Sequence, residues 1–208
     1  MLDSGFIVPS TSPFSSLILL VKRKDVTWCF CVDYRALNSI TIKDKFSILT
    51  VDELLDELGN TCWFSKLDPF SGFHKILIVP EDSRKNVFCT HNCHFEFRVM
   101  PFELYNTPST FQATMNDLFQ PNLRKFIIVF FDDILVYSPS LDSHITHLDI
   151  TFDVLHSNHF KLKGNKCLIG HHSIQYLRHI ISHQQVQSDL NKLEAVYNWP
   201  KPTTIKLL

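Results

Sequence analysis

Two adjacent carboxylates, Asp132 and Asp133, stand between two of the most apolar runs of the chain, in the stretch FIIVFFDDILVYSPS at residues 126–140. Runs as apolar as IIVFF and ILVY predict strands that are buried on both faces, so the acidic pair is expected in a turn at the rim of a packed sheet. Two-residue hairpin turns favour Asn-Gly or Asp-Gly, because both central residues need positive φ, and Asp-Asp suits such a turn poorly. A purely structural reason for the pair is therefore weak.

Like charges crowded at the rim of a sheet either become neutral or bind a cation. Ligands that are all oxygen atoms fit Mg²⁺ or Mn²⁺, and such a site normally recruits a further carboxylate from elsewhere in the chain. Asp68 is the best candidate, because it ends the predicted strand WFSKLD in the same way. Two metal ions about 3.5–4 Å apart between such carboxylates can activate an attacking hydroxyl and stabilise the leaving oxygens of a phosphoryl transfer, which is polymerase chemistry.

The composition predicts a globular protein inside the cell. With 208 residues, 45% of them hydrophobic, the chain can bury a core for one large domain or two small ones. Charged residues make up 20% of the chain, and no apolar run approaches the roughly 18 residues of a membrane span, so neither disorder nor a transmembrane helix is expected. The N-terminus lacks the pattern of a signal peptide, and the six cysteines lie mostly in apolar runs, as reduced thiols do. We expect a location in the cytoplasm or nucleus.

The net charge of −1 argues against a protein that coats nucleic acid with its whole surface. Any contact with a polyanion must be local, and the basic cluster Lys22, Arg23 and Lys24 is where phosphates could be held. An ordinary solvated charged face is the alternative for this cluster. Zinc is disfavoured at Cys167, His171 and His172, because no paired Cys-x-x-C unit accompanies them.

The order of predicted elements is that of an α+β protein. Apolar and alternating runs predict strands, and helical spacing with capping residues predicts helices. The expected strands are 17–21, 28–32, 63–68, 73–79, the two runs NVFCT and HFEFRVM, the two that flank the acidic pair, and a hairpin at 174–182. The expected helices begin at Thr50, at Pro108 and near Asp142 or Ser143.

Several longer blocks occur in one order along the chain. They are SPFSS and LVKRKD, VDYRALNSIT (32–41), FSKLDPFSGFHKI (64–76), HFEFRVMPFELYNTPSTFQATMNDLF (94–119), FFDDILVYS (130–138), and the set KCLIG, YLRHIIS and WPKP. In these blocks the chain resembles the reverse transcriptase domain of gypsy-type LTR retrotransposons over nearly its whole length. The resemblance implies an RNA-directed DNA polymerase, a nucleotidyltransferase, with the α+β fingers and palm of a right-hand polymerase and an antiparallel palm sheet packed on helices.

The resemblance also implies how the chain is divided. Residues 1–50 correspond to the first part of the fingers, 51–100 to the palm with the first catalytic acid and the return to the fingers, and 101–170 to the palm with the FxDD hairpin and its helices. Residues 171–208 correspond to the primer-holding hairpin and the start of the thumb or connection. Because the sequence stops where the thumb would begin, we expect a fragment of a larger polyprotein with a truncated thumb.

Residue by residue, the resemblance implies roles at the catalytic centre. Asp68, Asp132 and Asp133 match the catalytic carboxylates that bind two Mg²⁺ (or Mn²⁺) ions. Lys166 matches the lysine proposed to protonate the departing pyrophosphate, the alternative being an exposed lysine without a role. The implied partners are an RNA or DNA template with its primer, dNTPs, and the remainder of a retrotransposon polyprotein; no membrane contact is implied.

The remaining matches concern the nucleotide and the primer. Phe73 matches the aromatic residue that packs under the sugar and screens against a 2′-hydroxyl, although an ordinary strand aromatic is the alternative. Arg23 matches a basic residue of the fingers that reaches the triphosphate, and Phe102 and Gln112 match the segment that supports the templating base and incoming nucleotide. The hairpin residues that match the primer-holding segment are Tyr176, Leu177 and Arg178.

Three departures from the family pattern fall at positions that the chemistry uses. Cys29 stands where the family has an arginine that clamps phosphates, and Glu103 and Arg178 stand where it has glycines. Each exchange can arise by one C-to-T or G-to-A transition, and the chain has only five glycines, so we infer a degenerate copy. A catalytically dead or repurposed nucleic-acid-binding remnant of the same domain is therefore the alternative to an active polymerase.

Overall fold

The computed structural model of the protein describes residues 1–22, 28–44, 53, 56–69, 75–184 and 186–188. Twelve strands are present in this part of the chain: β1 (Ile7–Pro9), β2 (Ile18–Lys22), β3 (Trp28–Val32), β4 (Trp63–Leu67), β5 (Val87–Cys89), β6 (His94–Phe97), β7 (Ile127–Phe130), β8 (Asp133–Ser138), β9 (Leu168–His171), β10 (Ser173–Tyr176), β11 (His179–Ser182) and β12 (Val186–Ser188). The α-helices are α1 (Arg35–Ile40), α2 (Pro80–Ser83), α3 (Thr107–Phe119) and α4 (Leu141–Ser157). Short 3₁₀ turns occupy Asp56–Leu58 and Gly164–Lys166.

The central sheet has the strand order β7-β8-β4-β9 and is antiparallel throughout. Its inner strands β4 and β8 are paired from Trp63 opposite Ser138 to Leu67 opposite Ile134. Because side chains alternate along a strand, one face carries Leu67 and Ile134 and packs on α3 and α4. Both faces of this sheet are covered, which explains the continuous apolar runs seen in the sequence.

The opposite face of the central sheet is covered by a second, smaller sheet with the order β10-β11-β12. Phe64 and Leu135 from the central sheet form a buried cluster with Ile174, Tyr176 and Ile181 from the smaller one. The carboxyl end of β4 and the start of β8 therefore lie beside the β10–β11 hairpin.

A separate core lies in the N-terminal half, where β1, β6 and β5 form a three-stranded sheet and β2 and β3 form a hairpin. Tyr34 is only 1% exposed and lies in this core with Val32 and Phe88. Several apolar side chains of the β2–β3 hairpin stay exposed, including Leu20 and Trp28. Among the residues described, no helix is long and apolar enough to span a membrane.

Most of the predicted helices and strands are present in the structure. The α+β order, the strands around the acidic pair and the hairpin at 174–182 are confirmed, and the helix predicted from Pro108 begins one residue earlier. The helix predicted near Asp142 begins at Leu141, because Ser140 caps it and forms a capping box with Ser143.

One strand prediction is wrong. Within the described part of 73–79 the chain makes a single bridge, between Leu77 and Val99, instead of a strand. Ile76 and Ile78 pack against the cores, whereas Leu77 and Val79 are 75% and 57% exposed, so the run alternates as a strand would although only Leu77 forms a bridge. Pro80 opens α2 directly after it. The helix predicted from Thr50 lies mostly outside the described residues.

The β10–β11 hairpin turns through Leu177 and Arg178, which both have positive φ (48° and 65°). A two-residue turn of this kind favours glycine or asparagine, and a residue with a Cβ atom costs about 1 kcal/mol there. We therefore expect Arg178→Gly to raise the free energy of unfolding by about 1 kcal/mol in urea denaturation. Arg84→Gly is the control, because Arg84 has φ −63° and the same change should destabilise the protein there. An unchanged or lower stability of Arg178→Gly would contradict the assigned strain.

Candidate active site

The acidic residues lie at one edge of the central sheet. Asp68 directly follows β4 and Asp133 is the first residue of β8, and the pairing of these strands ends with Leu67 opposite Ile134. Asp68 and Asp133 are each one residue beyond that pair, so they flank each other at the end of the two inner strands. By the alternation of side chains they share the face that also carries Lys66.

The turn between β7 and β8 differs in register from the sequence-based interpretation. Phe130 pairs with Asp133, so the two central residues of the turn are Phe131 and Asp132, and Asp133 belongs to the strand. Phe131 carries the positive φ, at 52°. The expected turn of two acids is therefore wrong by one position, and the strain falls on an aromatic residue. Asp132 is exposed at the tip.

Gln112 supports this strained turn from α3. Its side chain is 4% exposed, and its Oε1 accepts a hydrogen bond from the backbone N–H of Phe131 (2.7 Å). Its Nε2 donates to the carbonyl oxygen of Val129 (3.0 Å) and to Asn116 Oδ1 (2.9 Å). The side-chain amide of Gln112 thus holds both the end of β7 and the residue with positive φ in place. A role for Gln112 in binding nucleotide stays a prediction.

Gln112→Met keeps the length of the side chain and removes all of these hydrogen bonds. Because it leaves the part-buried N–H of Phe131 and the buried carbonyl of Val129 without this partner, we expect it to lower the free energy of unfolding by about 2 kcal/mol. Urea denaturation measures the loss. Asn116→Ala is the control, since it removes only one of the three partners and should cost clearly less; equal losses in the two variants would show that the contacts to the turn contribute little.

Three lysines surround the two acids of the sheet edge. Lys163 Nζ donates to Asp68 Oδ1 (2.7 Å), and Lys166 Nζ lies 3.9 Å from Asp68 Oδ2. Lys66 Nζ lies 2.9 Å from Asp133 Oδ1. Each of the two acids therefore has a cationic partner within the chain itself.

Tyr176 joins the hairpin to this edge. Its side chain is fully buried, and its hydroxyl donates to the carbonyl oxygen of Asp133 (3.1 Å). Burial raises the pKa of Tyr176 well above its usual value, and the nearby charge of Asp133 raises it further, so the hydroxyl remains a donor at neutral pH. Lys66 Nζ also lies 6.0 Å from the centre of the Tyr176 ring. The β10–β11 hairpin is thus attached directly to the strand that carries the acid.

The donor chemistry of the edge fits an oxygen-preferring divalent cation. Asp68 and Asp133 offer carboxylate oxygens on one face, and cationic ammonium groups already lie against both. Across the described residues, however, no group of three or more Asp, Glu, His or Cys side chains is arranged to hold a metal ion. Binding of such an ion at Asp68 and Asp133 therefore requires the lysines to move.

The other predicted site residues fall into three groups. Lys166, the predicted proton donor, lies near Asp68 in an exposed 3₁₀ turn, and Tyr176 lies at the edge as described. Phe102 is 62% exposed, while Leu177 and Arg178 form the tip of the hairpin. Arg23 and Phe73 lie outside the described residues.

Sequence reasoning missed two of the lysines and a buried polar network. The position of Lys66 could have been inferred, because it lies in β4 two residues before Asp68, which directly follows the strand, and so both side chains fall on the same face. That of Lys163 could not be inferred, since 95 residues separate Lys163 from Asp68 in the chain. The network, which links Ser65 and Ser138 through His144, lies on the helix-covered side of the sheet.

Two of the departures noted in the sequence can now be placed. Cys29 lies in β3 opposite Val21, with its sulfur 3.5 Å from that of Cys31. Glu103 is half-buried beside the N-terminal core, where burial raises its pKa although backbone N–H groups of Glu103 and Val32 oppose that shift. The carboxyl group of Glu103 therefore lies against β3.

Comparisons of the sequence identify its relatives. Residues 22–181 match the family described as reverse transcriptase (RNA-dependent DNA polymerase). The chain is 36% identical over 99% of its length to the retrovirus-related Pol polyprotein from transposon 297 of Drosophila melanogaster, and 30% identical to that from transposon gypsy. It is 45% identical over 58% of its length to an RNA-directed DNA polymerase homolog of Oenothera berteroana, 87% of which is covered. The chain spans about a fifth of the length of the two polyproteins.

Comparison of the structure agrees in fold. The foamy viral protease-reverse transcriptase solved in complex with double-stranded DNA superimposes with a TM-score of 0.89 over 99% of this chain and 36% of that one, at 21% identity. The same viral protein with an RNA/DNA hybrid gives a TM-score of 0.86. These matches confirm the expected fold, and with the sequence matches they confirm the resemblance read from the ordered blocks. The chain belongs to the reverse transcriptase family and is related to the Pol polyproteins of gypsy-type retrotransposons.

Proposed function

We propose that this chain is the polymerase part of a retrotransposon reverse transcriptase, which adds dNTPs to the 3′-hydroxyl of a primer as directed by an RNA or DNA template. The observation that carries the proposal is the placement of Asp68 and Asp133 at the ends of adjacent strands, on one face and beside the β10–β11 hairpin. A sheet edge with two carboxylates suits phosphoryl transfer, in which negative charge collects on phosphate oxygens.

The residues of the edge have separate roles in this proposal. Asp68, Asp132 and Asp133 would hold two Mg²⁺ or Mn²⁺ ions, which when bound lower the pKa of the attacking hydroxyl and neutralise charge on the leaving phosphate. Tyr176 fixes the position of Asp133 through its carbonyl oxygen, and its hairpin would hold the primer end. Lys166 would protonate the departing pyrophosphate, and its position in a 3₁₀ turn next to Asp68 supports this role. Template bases would be read by pairing, so we expect slight sequence preference.

Primer extension tests the proposal. The purified chain is incubated with a labelled DNA primer on an RNA template, dNTPs, and Mg²⁺ or Mn²⁺. Extension that follows the template and stops when EDTA is added supports the proposal. Binding of the RNA–DNA duplex without any extension, under either metal, supports the alternative of a non-catalytic nucleic-acid-binding remnant.

The departures from the family pattern give a prediction of their own. If they are losses from a degenerate copy, the triple change Cys29→Arg, Glu103→Gly and Arg178→Gly should raise the extension rate about tenfold or more, because it restores a charge-assisted phosphate contact and removes an anion. Arg178→Gly alone is the control, because it measures how much of the increase in extension rate comes from higher stability of the fold. No gain from the triple change would contradict the inference of a degenerate copy.

A further inference from the structure

Lys163 is paired with one of the acids on which the proposed function depends. Its Nζ lies 2.7 Å from Asp68 Oδ1, and the two side chains are 26% and 14% exposed. The second oxygen of the same carboxylate has Lys166 Nζ at 3.9 Å, on a side chain that is 61% exposed. Both oxygens of Asp68 therefore face an ammonium group, and the tighter contact is the one with the less exposed lysine.

The main chain fixes Lys163 in this position. Its N–H donates to the carbonyl oxygen of Asp68 (2.9 Å), and the preceding residue, Leu162, forms an antiparallel bridge with Pro69. The carbonyl oxygen of Lys163 then accepts from the N–H groups of Lys166 and Cys167, which close the 3₁₀ turn. Because the backbone of 162–163 is held against that of 68–69, the main chain itself brings the Lys163 ammonium group close to the Asp68 carboxylate.

Lys66 has a different setting. It lies on β4 opposite Leu135, which makes it a diagonal neighbour of Asp133 on the same face, and its Nζ lies 6.0 Å from the centre of the Tyr176 ring. It thus belongs to the strand that builds the site. Lys163 comes from outside the central sheet, so it can be displaced from Asp68 without a change in the register of β4 and β8.

We propose that Lys163 is a built-in counter-ion that competes with divalent cations for Asp68, so that the acidic edge of this chain binds Mg²⁺ or Mn²⁺ weakly. The inference rests on the proposed function, in which Asp68 is a metal ligand. A carboxylate oxygen that accepts a charge-assisted hydrogen bond is not free to coordinate, and a fixed positive charge beside it repels a dication. The binding of a divalent cation to Asp68 is therefore weakened by the free energy needed to separate Lys163 from this carboxylate.

Direct binding of Mn²⁺, followed by its electron paramagnetic resonance signal, tests this without any need for catalysis. Lys163→Met removes the competing charge, and we expect its Kd for Mn²⁺ to fall about tenfold. Lys161→Met is the matched control, because it removes the same charge from an exposed residue two positions away and should change Kd by less than about twofold. Lys163→Arg keeps the charge and should bind Mn²⁺ as weakly as the unchanged chain.

Thermal unfolding provides a second readout and checks that each variant is folded. Added Mn²⁺ should raise the Tm of Lys163→Met more than that of Lys161→Met. A folded Lys163→Met variant whose Kd is unchanged or higher would overturn the inference. If Mn²⁺ binding to Lys163→Met also survives the joint change of Asp68, Asp132 and Asp133 to Asn, the cation is not at the acidic edge, and the metal site of the proposed function fails as well. If that joint change abolishes Mn²⁺ binding while Lys163→Met alone leaves Kd unchanged, only the inference about Lys163 is overturned.

Discussion

Primer extension is expected to fall at least about a thousandfold when Asp132 and Asp133 are both changed to Asn. A loss of this size corresponds to about 4 kcal/mol of transition-state stabilisation, which is what two carboxylates that hold cations against the reacting phosphate contribute. Asn keeps the size of each side chain, so the turn between β7 and β8 should keep its shape. Single-nucleotide incorporation, followed on a gel with saturating primer and template, measures the rate.

The control for this change removes two negative charges elsewhere. Asp149 and Asp153 are exposed on α4, and their joint replacement by Asn should leave the rate within about threefold. The triple change at Cys29, Glu103 and Arg178 provides a more active background in which a large loss can be measured. Extension that persists in the Asp132 and Asp133 variant would show that polymerisation in the assay does not use this edge.

The parts of the structure that could be predicted are those encoded by local pattern. The apolar runs on either side of the acidic pair required a doubly covered sheet, and Leu67 and Ile134 are indeed fully buried in it. Helical spacing of apolar residues located α3, whose Phe111 and Met115 are fully buried. In both cases the buried face that stabilises the element requires apolar residues at a regular spacing, and this spacing is visible in the sequence.

The parts that could not be predicted lack such a local signal. Helix α1 has no buried residue, so it carries no apolar stripe to find. The positive φ of Phe131 is imposed by the tight β7–β8 register and by Gln112, and no glycine or asparagine marks it. For the same reason the acidic turn was misplaced by one residue, because the pattern Asp-Asp suggested the turn and the pairing of Phe130 with Asp133 decides it.

The candidate site shows the same division between local and distant information. Asp68 could be joined to Asp133 because the first directly follows an apolar strand and the second begins one. The pairing of Lys163 with Asp68 could not be predicted, because it depends on how the segment after α4 returns to the sheet edge. The charge balance of the edge, and hence its affinity for cations, is therefore a property of the tertiary fold.

The second large effect concerns the buried histidine of α4. His144 is 1% exposed; its Nε2 is 2.7 Å from Ser65 Oγ and its Nδ1 is 2.9 Å from Ser138 Oγ, on the two inner strands. Ser138 Oγ also contacts His147 Nδ1 (2.8 Å). We expect His144→Ala to lower the free energy of unfolding by about 3 kcal/mol, because it leaves a cavity and removes hydrogen bonds from two buried hydroxyls. Urea denaturation at pH 7.5 measures this loss.

The same network makes stability depend on pH. Burial lowers the pKa of His144 below 6.5, the nearby His147 lowers it further, and burial also lowers the pKa of His147. Because the folded pKa lies below the unfolded one, the stabilising contribution is complete above about pH 6.5 and is lost as the pH falls from there through the folded pKa. The unfolded chain binds protons in this window that the folded protein does not.

His144→Ala should therefore flatten the fall in stability below pH 6.5, by at most about 1.4 kcal/mol per pH unit, the limit for one proton. His91→Ala is the control, because His91 is exposed and its removal should leave the slope unchanged. Denaturation midpoints between pH 7.5 and 5 give both slopes. If the two variants show the same slope as the unchanged protein, the acid sensitivity does not originate in the Ser65–His144–Ser138 contact between α4 and the central sheet.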